Sequence, residues 1–132
     1  EGTQQAAQGL GLLDVETTLV PHKTVLNRKA TDAATGIALD GYEIHMGRTI
    51  GPATAKAMVK LDDTPDGACS ADGRVRGCYL HGLFATDEWR VDYLRNIGID
   101  VPATDYRAGV QSALDELADA LEDVGDPAIF DL

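Results

Sequence analysis

The side chains most able to do chemistry in this chain are two of its three histidines. His81 stands in Gly77-Cys78-Tyr79-Leu80-His81-Gly82-Leu83-Phe84, where a short apolar run delivers an imidazole to a glycine. A stiff strand holds the ring and a bend exposes it, the arrangement a general base needs. His45 stands in a comparable stretch, Gly41-Tyr42-Glu43-Ile44-His45-Met46-Gly47-Arg48-Thr49. His22 follows Pro21 in a polar segment and reads as surface.

Partners for these rings are few. His45, His81 and Glu43 are the residue types of a zinc set, but the local spacing of a zinc motif is missing, so no metal is expected. Cys78 and His81 are the chemistry of an acyl-transfer dyad. Residues three apart on a strand face opposite ways, so Cys78 reads as a core thiol. Cys69, beside a turn, reads as structural. No Gly-rich loop ends in Lys-Ser/Thr, and Gly9-Leu10-Gly11 is too short for a dinucleotide fingerprint. His81 is thus a candidate base for which these residues supply no nucleophile.

The elements that must position it follow from periodicity and punctuation. Residues 24–29 and 42–46 alternate as strands, the second with Tyr42, Ile44 and Met46 on one face and Glu43 and His45 on the other. Residues 36–40 form a short strand after a turn at 31–35. Residues 53–61 are compatible with a short helix or an irregular edge strand. Residues 62–67 read as a surface turn. Asp72-Gly73, between residues 68–71 and 74–80, is the strongest hairpin signal in the chain and leads to His81. Thr86 is a suitable cap for a helix carrying Asp87 and Glu88 in its first turn and stopping at Gly98. Asp105 caps a last helix with Val110, Leu114, Leu117 and Leu121 at helical spacing, ended by Gly125 and Pro127. The first eight residues read as a loop, which suggests a start inside a domain, and the tail Ile129-Phe130-Asp131-Leu132 as a segment folded onto a neighbour.

Composition excludes several classes. At 132 residues the chain is one domain or part of one. Hydrophobic residues at 44% suffice for a core, while a formal net charge of -11 argues against a nucleic-acid partner. No run is long and apolar enough for a membrane span, and no secretion signal precedes the two cysteines, so a cytoplasmic protein with reduced thiols is expected.

Taken together and in order, four stretches resemble the C-terminal half of the glutamine amidotransferase domain of the cobyric acid synthase family. They are Gly9-Leu10-Gly11-Leu12-Leu13-Asp14-Val15-Glu16-Thr17, the Gly41–Thr49 stretch, Asp66-Gly67-Ala68-Cys69-Ser70-Ala71-Asp72-Gly73-Arg74-Val75, and the Gly77–Phe84 stretch, with the Trp89 helix continuing the match. The resemblance implies an α/β fold: part of a flavodoxin-like amidotransferase domain, a mixed sheet with an antiparallel hairpin and flanking helices. It implies glutamine as substrate and His81 as the histidine paired with a cysteine nucleophile. It implies ammonia passed to an ATP- and Mg2+-dependent synthetase domain that amidates a corrinoid, with no cofactor in this part. The family's cysteine precedes the Gly-Leu-Gly-Leu-Leu segment, so residues 1–132 are expected to be a partial domain, inactive alone and prone to self-association. Related class I amidotransferases place a carboxylate two residues after the histidine. Here that residue is Leu83, which leaves Glu43, beside His45, as the candidate to orient His81. Two alternatives share the resemblance: the amidotransferase domain of cobyrinic acid a,c-diamide synthase, and a non-catalytic scaffold of the same shape.

Overall fold

The longest strands, β1 (Glu16–Asn27) and β4 (Tyr42–Ile50), pair antiparallel and form the platform on which the rest is hung. The computed structural model describes residues 6–124. β1 begins at Glu16 rather than Thr24, because Pro21 and His22 hide the alternation. Pairing runs from Glu16↔Ile50 to Leu19↔Gly47, breaks, and resumes at Thr24↔His45. A proline cannot donate to a ladder, so the break falls where the sequence puts one.

Between these strands lie β2 (Ala30–Asp32) and β3 (Ala38–Leu39), joined by a turn. After β4 come a 3-10 turn (Pro52–Ala55), β5 (Val59–Leu61) and β6 (Thr64–Asp66). Residues 53–61 are therefore part helical turn and part strand. The strand order β3-β2-β5-β6 makes a second sheet, and β7 (Ala68–Cys69) pairs with β8 (Arg76–Gly77) as a hairpin around Asp72-Gly73, with shorter arms than the expected 68–71 and 74–80, the second ending at Gly77 before His81. A separate strand, β9 (Leu80–His81), leaves that hairpin and joins the free side of β4.

Two expectations are corrected. Residues 62–67 are not a plain surface turn: Asp62 and Asp63 make a two-residue hairpin turn with φ of 45° and 68°, and β6 follows at once. Both turn residues are left-handed, a geometry Asn-Gly usually signals and Asp-Asp does not. The sheet is not mixed, since every strand pair among the described residues is antiparallel. Parallel neighbours need crossovers of about a dozen residues or more, and the connections here are mostly tight turns. The chain still combines strands with two helices, α1 (Asp87–Asn96) and α2 (Tyr106–Val124).

α1 covers the second sheet. Trp89 is buried against Leu39, Val59 and Leu61, with Leu80 of β9 reaching the same core. Its indole Nε1 donates to Asp32 Oδ2 at 2.9 Å. Asp32 Oδ1 accepts from the amides of Ala34 and Thr35 and from the Thr35 hydroxyl. Burial pushes the Asp32 carboxyl up, but these donors, led by Trp89, outweigh it and hold it below the ordinary range. Thr86 occupies the cap position of α1, yet its Oγ1 accepts the Asp40 amide at 2.9 Å instead of capping the helix. At the other end, Gly98 N and Ile99 N bond back to Arg95 O and Leu94 O. Asp105 Oδ1 accepts from Ala108 N, as a cap does. On α2, Val110, Leu114, Leu117 and Leu121 all face solvent. Gly125, Pro127 and the tail 129–132 lie outside the described residues. No described helix is long and apolar enough to cross a membrane.

Candidate active site

His81 reaches its position because β9 is pressed tightly onto the start of β4, in the register Tyr42↔His81 and Glu43↔Leu80. Gly41 permits this approach, since a Cβ there would overlap the carbonyl oxygen of His81 and crowd Leu80. Gly82 follows with φ 93°, the left-handed bend that turns the chain away and leaves the ring exposed. The imidazole lies parallel to the Tyr42 ring, with centroids 5.4 Å apart and planes 6° apart. Its Nε2 donates to Ile44 O at 3.2 Å. A carbonyl only accepts, so Nε2 carries a proton, and in the neutral ring it is Nδ1 that presents the lone pair. No hydrogen bond among the described residues occupies Nδ1.

His45 sits in different company. Its Nε2 faces Glu43 Oε1 at 2.8 Å and its Nδ1 faces Gly47 O at 2.7 Å. Its ring stacks on Tyr79 with centroids 4.1 Å apart. Glu43 is buried, and its Oε2 accepts from Arg28 Nε at 2.8 Å. Arg28 also reaches Asp62 Oδ2 at 2.9 Å, which ties the left-handed turn to the platform. Burial raises the Glu43 carboxyl, but Arg28 and then His45 more than reverse this and hold it below the usual carboxylate range.

The structure therefore brings Glu43 and His45 together and leaves His81 apart. Neighbouring strand residues point to opposite faces. His81 shares Tyr42's face, whereas Glu43 spends both oxygens on Arg28 and His45. No group of three His, Cys, Asp or Glu among the described residues is placed to hold a metal ion. The thiols are also occupied elsewhere. Cys78 Sγ points at Leu80 O and Cys69 Sγ at Ala57 O, and burial pushes the Cys78 thiol up, away from the reactive thiolate. A cleft of about 470 Å³ runs past Thr17, Thr49, Asp66 and Tyr79, but His81 is not in its lining.

Sequence reasoning missed Arg28, Asp62, Tyr42 and the Ile44 carbonyl as parts of these two constellations. Only the identity of residue 42, an aromatic opposite a histidine, carried a signal, and it needed the register to be read.

Residues 1–89 match the CobB/CobQ-like glutamine amidotransferase domain. The chain belongs to that family. The amidotransferase chain is 50% identical over 128 residues to cobyric acid synthases of Sinorhizobium fredii and Rhizobium meliloti, covering 97% of itself and 26% of each relative. Against the cobyric acid synthase of Brucella anthropi it is 47% identical over 133 residues, 100% of this chain and 28% of the relative. It thus spans about a quarter of the length of the curated relatives it matches, and α2, beyond the family match, lies within these longer similarities. No solved structure matches the amidotransferase chain.

Proposed function

We propose that residues 1–132 are part of the glutaminase domain of a cobyric acid synthase and that His81 is the acid–base group of that domain. The observation that carries this reading is similarity to cobyric acid synthases at 47–50% identity along 97–100% of the chain. The exposed ring of His81, with Nδ1 open, supports its role.

In this reading His81 Nδ1 accepts the proton of a cysteine thiol. The thiolate attacks the side-chain amide carbon of glutamine, and the imidazolium returns the proton to the nitrogen as the C–N bond breaks. Ammonia leaves, and water, deprotonated by the same ring, hydrolyses the thioester to glutamate. Cys69 and Cys78 are held away from the ring, so the sulfur comes from outside these residues and this chain alone releases no ammonia from glutamine. The released ammonia is used by a synthetase domain that takes ATP and Mg2+ to amidate peripheral carboxylates of adenosylcobyrinic acid a,c-diamide. The apolar residues exposed on β1, β4 and α2, among them Leu19, Ile50 and Leu114, favour self-association of the isolated chain. Light scattering showing a monomer at all concentrations counts against that last point.

The deciding experiment is His81→Ala in the intact synthase. Glutamine-dependent amidation should collapse while amidation with added ammonium salt persists. Unchanged glutamine-dependent turnover removes the reading.

A further inference from the structure

Among the described residues His81 has no carboxylate partner: the residue two positions on is Leu83, and Glu43 is committed to Arg28 and His45. An imidazole that must take a proton at one nitrogen needs something to fix its tautomer and its plane. Among the described residues two groups are placed to do so. The Ile44 carbonyl accepts from Nε2 at 3.2 Å, and the Tyr42 ring lies parallel beneath at 5.4 Å.

We propose that Tyr42 and the backbone carbonyl of Ile44 are the positioning groups of His81, together replacing the missing triad carboxylate. This inference rests on the assignment of His81 as the acid–base group. The carbonyl selects the Nε2–H tautomer and so directs the lone pair at Nδ1 toward the approaching thiol. The phenol ring holds the imidazole plane and offers its π face to the imidazolium that forms when the thiol is ionised. The Ile44 bond shortens in the same step, because a charged donor binds a carbonyl more strongly than a neutral one. Both groups sit on the same strand, β4, two residues apart. The pair is therefore set by the strand's own geometry, and the register Tyr42↔His81 is what delivers the ring to both. The Tyr42 hydroxyl makes no hydrogen bond among the described residues, so the ring alone does this work.

The first test is a two-bond 1H–15N correlation spectrum of His81 in the full chain, recorded with the ring neutral. The Nε2–H pattern is expected; an Nδ1–H pattern, or one averaged over both tautomers, overturns the proposal. The second compares Tyr42→Phe with Tyr42→Leu in the intact synthase. Leu keeps an apolar strand residue and removes the π face. Tyr42→Leu should lower kcat for glutamine by about tenfold to a hundredfold, with KM for glutamine and ammonium-dependent amidation unchanged. Tyr42→Phe should restore kcat. Equal kcat in the Leu variant and the parent, or a Phe variant as impaired as Leu, overturns the positioning role. Failure of the broader reading looks different: His81→Ala would then retain glutamine-dependent turnover whatever residue 42 is. If the Leu variant does not fold, the tautomer spectrum of the parent still decides.

Discussion

His45 and His81 come from stretches that read alike, and they lie on the same small sheet, yet their surroundings have little in common. His45 is bonded at both nitrogens to acceptors, stacked on Tyr79 and joined through Glu43 to Arg28 and the Asp62 turn. Among the described residues His81 has one weak anchor and one open nitrogen, and its ring is exposed. The lesson is that a histidine saturated with partners holds a fold together, whereas one left partly unsatisfied can exchange a proton.

The comparison breaks first if His81 is dispensable. With His81 as the acid–base group of the synthase proposed above, His81→Ala should cost about 10²- to 10⁴-fold in glutamine-dependent turnover, with the thermal midpoint close to that of the parent. A small activity loss with a large stability loss would reverse the roles assigned to the two rings.

Glu43→Gln sharpens the other side. It leaves Arg28 and His45 facing a neutral amide in a buried place and should cost about 1–3 kcal/mol of stability, read as a lowered urea midpoint. Glutamine turnover of the folded enzyme should stay near the parent value. A sharp fall in turnover at unchanged stability would return Glu43 to the role of orienting His81.

The same carboxylate makes a prediction about acid. Its folded pKa lies below the unfolded value, so its contribution to stability is complete above roughly pH 4.3 and disappears as pH falls through the lower folded value. Asp32, held low mainly against burial by Trp89, acts in the same direction. Urea midpoints should therefore drop between roughly pH 5 and pH 3, and less steeply in Glu43→Gln. Equal slopes would show that the Glu43 cluster is no stronger in the folded chain than in the unfolded one.

The smallest effect is expected at Cys78. Its thiol is raised by burial, so iodoacetamide should label it far more slowly in the native chain than in urea. Labelling at equal rates would place the thiol in solvent, within the range of a catalytic role.

Much of this was legible before the fold. The hairpin at Asp72-Gly73, the two helices, the cap at Asp105 and the exposure of a histidine before Gly82 all rest on local rules of turn and cap chemistry. What escaped is long-range. Arg28, just after β1, meets Asp62 in the turn between β5 and β6, Trp89 meets Asp32 from another element, and the Thr86 hydroxyl accepts from the Asp40 amide rather than from its own helix. No periodicity encodes such pairs. The separation of Glu43 from His81 follows from a register that the sequence leaves open, since one residue of slip exchanges the two faces of a strand. The start of β1 was hidden by Pro21 for the opposite reason, a local breaker inside a strand that pairing elsewhere sustains.

Gly41 has a consequence for variation at this site. The place of His81 depends on a missing methyl group: the strand bearing the histidine rests where a side chain at residue 41 would otherwise stand. Adding even one carbon there would act as a wedge between β4 and β9. It would shift the His81 ring from its seat while leaving every functional group among the described residues in place, so a survey of functional groups alone would count such a variant as intact.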